Sequence, residues 1–402
     1  MCRELKDSGI PWIGEIPKDW TIELIGNQVK EVNNPNTNGL EDNALQFKMG
    51  SIISKSRGDS KYNPETLEGY NIVDKGVIML NGLNLSFDLI SQRVGLVRER
   101  GVITSTYLAV KPSNNIDSEY LTYLFKAYDN CKAFHSMGRG LRQTLSYGEL
   151  RKYLLLYPSL AEQQRIAEFL DRKCAEVDEM IGLQEQIIEE LRAYKQAVIT
   201  EAVTKGLNPA APMRDSGIEW IGSIPEHWEV ARLKFYASID SGDAISNEQI
   251  DRDGEYPVFG GGEIMGYYSQ YNTDEDKLII GRVGARCGCV TMPKQKCWAS
   301  DNALVLKSCL PLKYTYHLLQ AINLNRLNTS NAQPLITATK VKNVFIPLTP
   351  PTEQQAIADY LDDKCADIDS LIQTKQSKID SLREYKKSII YEYVTGKQEV
   401  NE

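Results

Sequence analysis

Two stretches of this 402-residue chain gather positive side chains with hardly an acid among them. Residues 131–152 carry Lys132, His135, Arg139, Arg142, Arg151 and Lys152 against one acid, Glu149, and glycines at 138 and 140 flank Arg139. Residues 277–297 carry Lys277, Arg282, Arg286, Lys294 and Lys296 with no acid at all. Clusters of this kind can neutralise phosphates, which is the electrostatic footprint of a polyanion binder. The net charge of −8 argues the other way until the chain is divided. Residues 1–160 hold 19 basic and 18 acidic side chains and 207–351 hold 14 and 15, whereas 161–206 hold 6 and 10 and 352–402 hold 7 and 11. The acidic excess sits on two segments, so the total charge does not exclude DNA.

Residues that could run a reaction are scarce. There is no phosphate-binding Gly-x-x-x-x-Gly-Lys-Ser/Thr, no Rossmann glycine fingerprint, no His-Glu-x-x-His and no Gly-x-Ser-x-Gly elbow. The three histidines, His135, His227 and His317, stand in no motif and offer few general acid–base candidates. Of eight cysteines, Cys287, Cys289, Cys297 and Cys309 cluster, but their spacing matches no standard zinc knuckle. The expectation is therefore reduced thiols that pack as small apolar residues, as in a cytoplasmic protein, and binding rather than catalysis. No run of 18 apolar residues occurs, and residues 1–7 lack the apolar stretch of a secretory signal.

The elements that must position those cations are repeated. Residues 162–205 and 353–396 are identical at 21 of 44 positions, beginning with Glu-Gln-Gln. Neither contains proline, so each predicts a helix of about 42 residues and about 63 Å. Ile166, Leu170, Cys174, Val177, Ile181, Gln184, Ile188, Leu191, Lys195, Val198 and Ala202 follow at steps of mostly alternating four and three. In the second copy the series is Ile357, Leu361, Cys365, Ile368, Ile372, Lys375, Ile379, Leu382, Lys386, Ile389 and Tyr393. That spacing makes a coiled-coil seam, and the simplest partner for one copy is the other. Gln184/Lys375 and Lys195/Lys386 put polar residues at matching seam places, where they can fix register.

A second repeat, Ser8-Gly-Ile-Pro-Trp-Ile-Gly-Glu-Ile-Pro-Lys-Asp-Trp20 and Ser216-Gly-Ile-Glu-Trp-Ile-Gly-Ser-Ile-Pro-Glu-His-Trp228, matches at 9 of 13 positions and predicts an aromatic-packed loop, a structural clasp. Between clasp and helix the chain reads as short strands divided by turns, with a short helix over 120–127. A common Arg-x-Gly-x-Val, Arg93 to Val97 and Arg286 to Val290, suggests that the two variable domains share a skeleton. The predicted boundaries are 1–160 and 207–351 for strand-rich domains and 161–206 and 352–402 for long helices. Clasp, variable domain and rod, twice over, imply an α+β, pseudo-two-fold molecule with two different surfaces.

In this combination and order the chain resembles the specificity subunit of type I restriction–modification enzymes over essentially its whole length. The carriers are the duplicated clasp, the duplicated Glu-Gln-Gln-x-Ile-Ala helix, and Tyr256-Pro-Val-Phe-Gly-Gly-Gly-Glu-Ile-Met-Gly266 with Gly281-Arg-Val-Gly284. The resemblance implies two target-recognition domains, each reading half of a split DNA sequence, and an antiparallel helix pair that sets the gap between the halves. It implies two methylation subunits docked on the chain, with translocase–nuclease subunits added for cleavage. S-adenosylmethionine, ATP and magnesium would belong to those partners, with no cofactor, metal or catalytic residue in this chain. Candidate DNA contacts are then Arg93, Lys132, Arg139 and Arg142 in the first domain and Arg282, Arg286, Lys294 and Lys296 in the second, with Asn81, Asn84, Tyr267 and Tyr268 as further candidates for bases. The shared place of Arg93 and Arg286 also fits a scaffold role. A coiled-coil adaptor binding proteins through its two domains is the rival reading, and a self-sufficient nuclease is a more distant one.

Overall fold

A computed structural model describes residues 3–37, 39–55, 67–87, 92–139, 143–328 and 334–400. Two compact units emerge, one of residues 1–183 with 378–402 and one of 184–377. Each takes one strand-rich domain and one half of each long helix. The first long helix spans Leu160–Lys205 and the second Pro351–Val394.

The units repeat one plan. In the first, a four-stranded antiparallel sheet runs Val29–Glu31, Leu108–Pro112, Ile78–Leu80, Val94–Leu96 in spatial order. In the second, the same order is filled by Ala237–Ser241, Ala303–Ser308, Leu278–Gly281 and Val290–Thr291. Each domain is closed by a strand from its start paired with one from its end, Thr21–Leu24 with Leu154–Tyr157 and Glu229–Arg232 with Phe345–Leu348. The central strands Ile78–Leu80 and Leu278–Gly281 are buried throughout, as their unbroken apolar runs require. A helix covers each sheet, Ser118–Asn130 in the first unit and Leu312–Ile322 in the second. Asp117 caps the first of these by accepting from the Glu119 and Tyr120 N–H groups.

The two clasps are loops held by a short ladder, Leu5–Asp7 with Glu15–Pro17 and Met213–Asp215 with Ser223–Pro225. Trp20 and Trp228 are fully buried at their ends. The glycine after each long helix explains a constraint, because a Cβ at Gly206 would press on Trp228 and one at Gly396 on Trp20 and Pro17, and both take positive φ.

The seam positions are buried or half-buried in both copies. In the first unit Phe169 meets Tyr393 at 4.3 Å and Lys386 reaches Asp178 at 2.6 Å, so that half-pair is antiparallel. In the second, Lys195 reaches Asp369 at 2.7 Å while residues 202 and 203 share a core with Ile357 and Ala358, again antiparallel. The polar seam lysines thus find acids at matching sequence positions. The repeated Glu-Gln-Gln has a mechanical reading as well. Gln163 Nε2 donates to the Pro158 carbonyl at 2.9 Å and Gln354 Nε2 to that of Thr349 at 2.7 Å, tying each helix to the strand that precedes it. Glu162 takes Arg3 at 2.7 Å, and Glu353 takes His227 at 2.7 Å and the Trp228 indole at 2.9 Å, which tie helix to clasp.

Candidate nucleic-acid interface

Arg93 lies where a strand begins, and its guanidinium turns inward. It is 8% exposed, and Nη1 donates to the carbonyls of Asn81 at 2.8 Å and Leu83 at 2.7 Å, with Nη2 at 3.3 Å from that of Asn84. Its own N–H is held by Asp129 at 2.9 Å. A planar fork suits three carbonyls on one turn, and a group so engaged is a brace rather than a phosphate ligand. The pairing expected between Arg93 and Arg286 is corrected by the ladders. Asn81 N–H bonds the Arg93 carbonyl and Gly281 N–H bonds that of Cys289, each at 2.9 Å, so Cys289 occupies the place of Arg93 and the two arginines are not equivalent. The shared Arg-x-Gly-x-Val is a coincidence of composition, offset by three residues.

Around the other first-domain cations the geometry is mixed. Lys132 is half-buried and takes a positive φ of 58° ahead of the short helix Ala133–Met137. Arg139 is 73% exposed and its Nε lies 3.1 Å from Glu149, whose carboxylate also meets Lys152 at 3.5 Å. Arg139 and Thr144 pair backbone to backbone. Arg142 lies outside the described residues. Asn81 accepts from the Leu83 N–H at 3.3 Å, inside the loop Arg93 braces, and Asn84 is exposed with a positive φ of 50°.

In the second domain the cations divide around one hairpin, Tyr256–Phe259 paired with Ile264–Tyr268. At its tip, Arg286 pairs with Glu263, both well exposed. At its base, Lys296 sits over the Tyr271 ring at 4.3 Å and donates to its hydroxyl at 3.0 Å, with Tyr256 5.0 Å from Tyr271. The hydroxyl contact holds the Lys296 ammonium above the ordinary lysine range, so it stays charged. Tyr268 meets Trp298 edge-on at 5.1 Å, and Tyr267 exchanges backbone bonds with Asp251. Lys294 is exposed and pairs with no acid among the described residues. Arg282 is half-buried, its Nη1 3.4 Å from the Asp301 carbonyl. Of the clustered cysteines, Cys287 and Cys297 are buried and Cys289 and Cys309 exposed, and burial pushes the Cys297 thiol up to about 11.

Side-chain chemistry alone leaves a basic, aromatic surface on a twice-repeated scaffold. The family model for the type I restriction modification DNA specificity domain matches residues 97–193 and 225–381, once in each repeat. The chain belongs to the type I restriction–modification specificity family. It is similar to the type I restriction enzyme MjaVIII specificity subunit of Methanocaldococcus jannaschii, 23% identical over 416 residues, 95% of this chain and 93% of that one. A stretch of 129 residues is 34% identical to the type I restriction enzyme EcoprrI specificity subunit of Escherichia coli, covering 30% of this chain and 32% of that one. A chain from a solved type I restriction–modification structure shares the fold, with a TM-score of 0.71 at 16% identity over 95% of this chain and 99% of that one. As a specificity subunit, the protein supplies DNA sequence recognition through two recognition domains.

Beside the cations that charge counting picks out, the structure places three aromatics, Tyr256, Tyr271 and Trp298. Tyr256 and Tyr271 gather next to Lys296, while Trp298 meets Tyr268, and aromatics scattered through the sequence give no sign of either grouping. No helix of the described residues is long and apolar enough to cross a membrane.

Proposed function

We propose that this specificity subunit reads a bipartite duplex target, one half with each recognition domain, and that its long helices fix the number of unread base pairs between them. The observation that carries the reading is the repetition itself. Clasp, closing strands, four-stranded sheet and helix recur with the same order and bonds, while the surfaces built on them differ. Two like scaffolds with unlike surfaces suit two unlike half-sites, and joining them makes the second contact intramolecular.

In the second domain the exposed Arg286 and Lys294 and the half-buried Lys296 take phosphates, with Arg282 in the same segment, and Tyr267 and Tyr268 on the 256–268 hairpin serve base edges. In the first, Arg139, Lys132 and Arg142 fill the phosphate role. Arg93 acts behind that surface by holding the 81–84 loop. The chain itself is non-catalytic. Two methylation subunits dock on it and translocase–nuclease subunits join for cleavage, bringing S-adenosylmethionine, ATP and magnesium with them, in a cytoplasmic assembly.

The test is a gel shift with the chain and its methylation partner, followed by methylome sequencing of the host with and without the gene. A two-part motif that vanishes with the gene is the expected result. Equal affinity for all DNA fragments, or binding that ignores salt, would favour the protein-binding adaptor instead.

A further inference from the structure

The hairpin of the second domain contains a break in its own pattern. Val258 pairs with Gly266 and Phe259 with Ile264, so Met265 is one residue too many, a β-bulge. Gly266 permits it with a φ of 154°, and a Cβ there would collide with Ile250 and the Asp251 backbone. Successive strand residues ordinarily face opposite sides. Here Ile264 and Met265 are consecutive, large and apolar, yet 52% and 51% exposed. The turn beneath them is tight, with Gly260 N–H on the Glu263 carbonyl at 3.0 Å, and any side chain at Gly260 would overlap Met265. Beside them stands Arg286, paired with Glu263.

A bulge and two glycines, one of them at positive φ, thus hold a pair of half-exposed apolar side chains next to an exposed arginine. Neither residue belongs to a core cluster, and two adjacent apolar side chains left half in solvent beside a cation on a DNA-reading domain suit a contact surface. Among partners of a DNA-reading domain, the interior of the base stack is the apolar surface that lies between phosphates. Ile and Met are residue types that wedge between base steps, with a cation beside them for the backbone.

We propose that Ile264 and Met265 form a wedge that enters one base step of the half-site read by the second domain, while Arg286 exchanges Glu263 for a flanking phosphate. This rests on the reading of the domain as a duplex binder, and the experiment separates the two. Duplexes carry 2-aminopurine at successive positions of that half-site, excluding any base the partner methylates, and are bound by the chain with its methylation partner. The wild-type complex brightens the probe at one step. I264S/M265S loses that brightening and about tenfold in affinity, whereas I264L/M265L keeps both, and affinities are compared well below the melting temperature of each variant, since the half-buried pair gives the serine variant a small loss of stability. An unchanged probe profile in the serine variant overturns the wedge while leaving sequence recognition intact. So does loss of the methylation partner on co-purification, which would assign the pair to a protein contact. A wild-type complex indifferent to the half-site sequence would instead remove the duplex-binding reading, and the wedge with it.

Discussion

Arg93 and Arg139 are equal on charge and opposite in the fold. Arg93 serves three carbonyls on one loop, so R93A leaves them without donors and costs about 1–3 kcal/mol of the first unit's stability, read by urea unfolding. Its effect on DNA affinity follows from the loop and does not change the salt slope. Arg139, Lys294 and Lys296 are expected to behave in the other way if they take phosphates as proposed. Each alanine substitution lowers the slope of log affinity against log salt by roughly one and leaves sequence preference unchanged, as measured by gel shifts over a salt series. A single sequence carries the charge of an arginine but not its direction, which is why Arg93 fits both a scaffold role and a DNA contact on sequence alone.

His317 supplies the residue-scale pH dependence. It is buried, with Nε2 2.8 Å from Asp362, Lys313 on the same carboxylate at 2.6 Å, and Lys195 as a further opposing charge. Burial lowers its pKa below 6.5, outweighing the pull of Asp362. The unfolded chain therefore binds the proton first, and the second unit loses stability as pH falls below about 6.5, without regaining it at lower pH. In the first unit Tyr123 meets Asp171 at 2.6 Å in the corresponding place, with a hydroxyl that burial holds neutral. H317Y is expected to flatten the stability of the second unit between pH 7.5 and 5.5, measured by denaturant unfolding at each pH.

At the scale of elements, the long helices were the most legible part of the sequence. Their apolar steps of four and three require one stripe, and every such position proved buried or half-buried. The strands were legible wherever they are buried on both faces, as at Ile78–Leu80 and Leu278–Gly281. Register was not, because pairing depends on turns whose chemistry is spread along the chain, and so Cys289 rather than Arg286 answers to Arg93. The bulge at Met265 was invisible for the same reason. The polar seam residues Lys195 and Lys386 reach Asp369 and Asp178, half-exposed pairs that contribute register more than stability. Four residues inserted near Leu191 add about one helical turn, about 6 Å. The gap between half-sites grows by roughly two base pairs, with neither half altered, and methylome sequencing reads both quantities.

For the whole molecule, repetition was the sequence's clearest message, and the family model matches once in each repeat. What repetition could not reveal was how the helices are shared, since each compact unit takes half of both. Exchanging residues 21–157 for the variable domain of another family member is expected to change one half-site and leave the other, as read by methylation motifs. Ending the chain after Ser377 strips the first unit of Ile379, Ile389, Ile390 and Val394, all buried in the intact protein, while the second unit keeps every one of its own residues. Limited proteolysis of that truncation should leave a resistant fragment from the second unit and digest the first.

That division bears on the order of events at the ribosome. The second unit is one uninterrupted run, 184–377, and is whole as soon as it has emerged. The domain made first must wait, its Trp12 and Ile13 carbonyls unclaimed by Tyr391 and its Tyr120 hydroxyl without Val394, until the closing residues leave the exit tunnel. At about 5–20 residues per second that delay lasts on the order of ten to forty seconds, and for its duration the nascent amino-terminal half is the natural client for a chaperone.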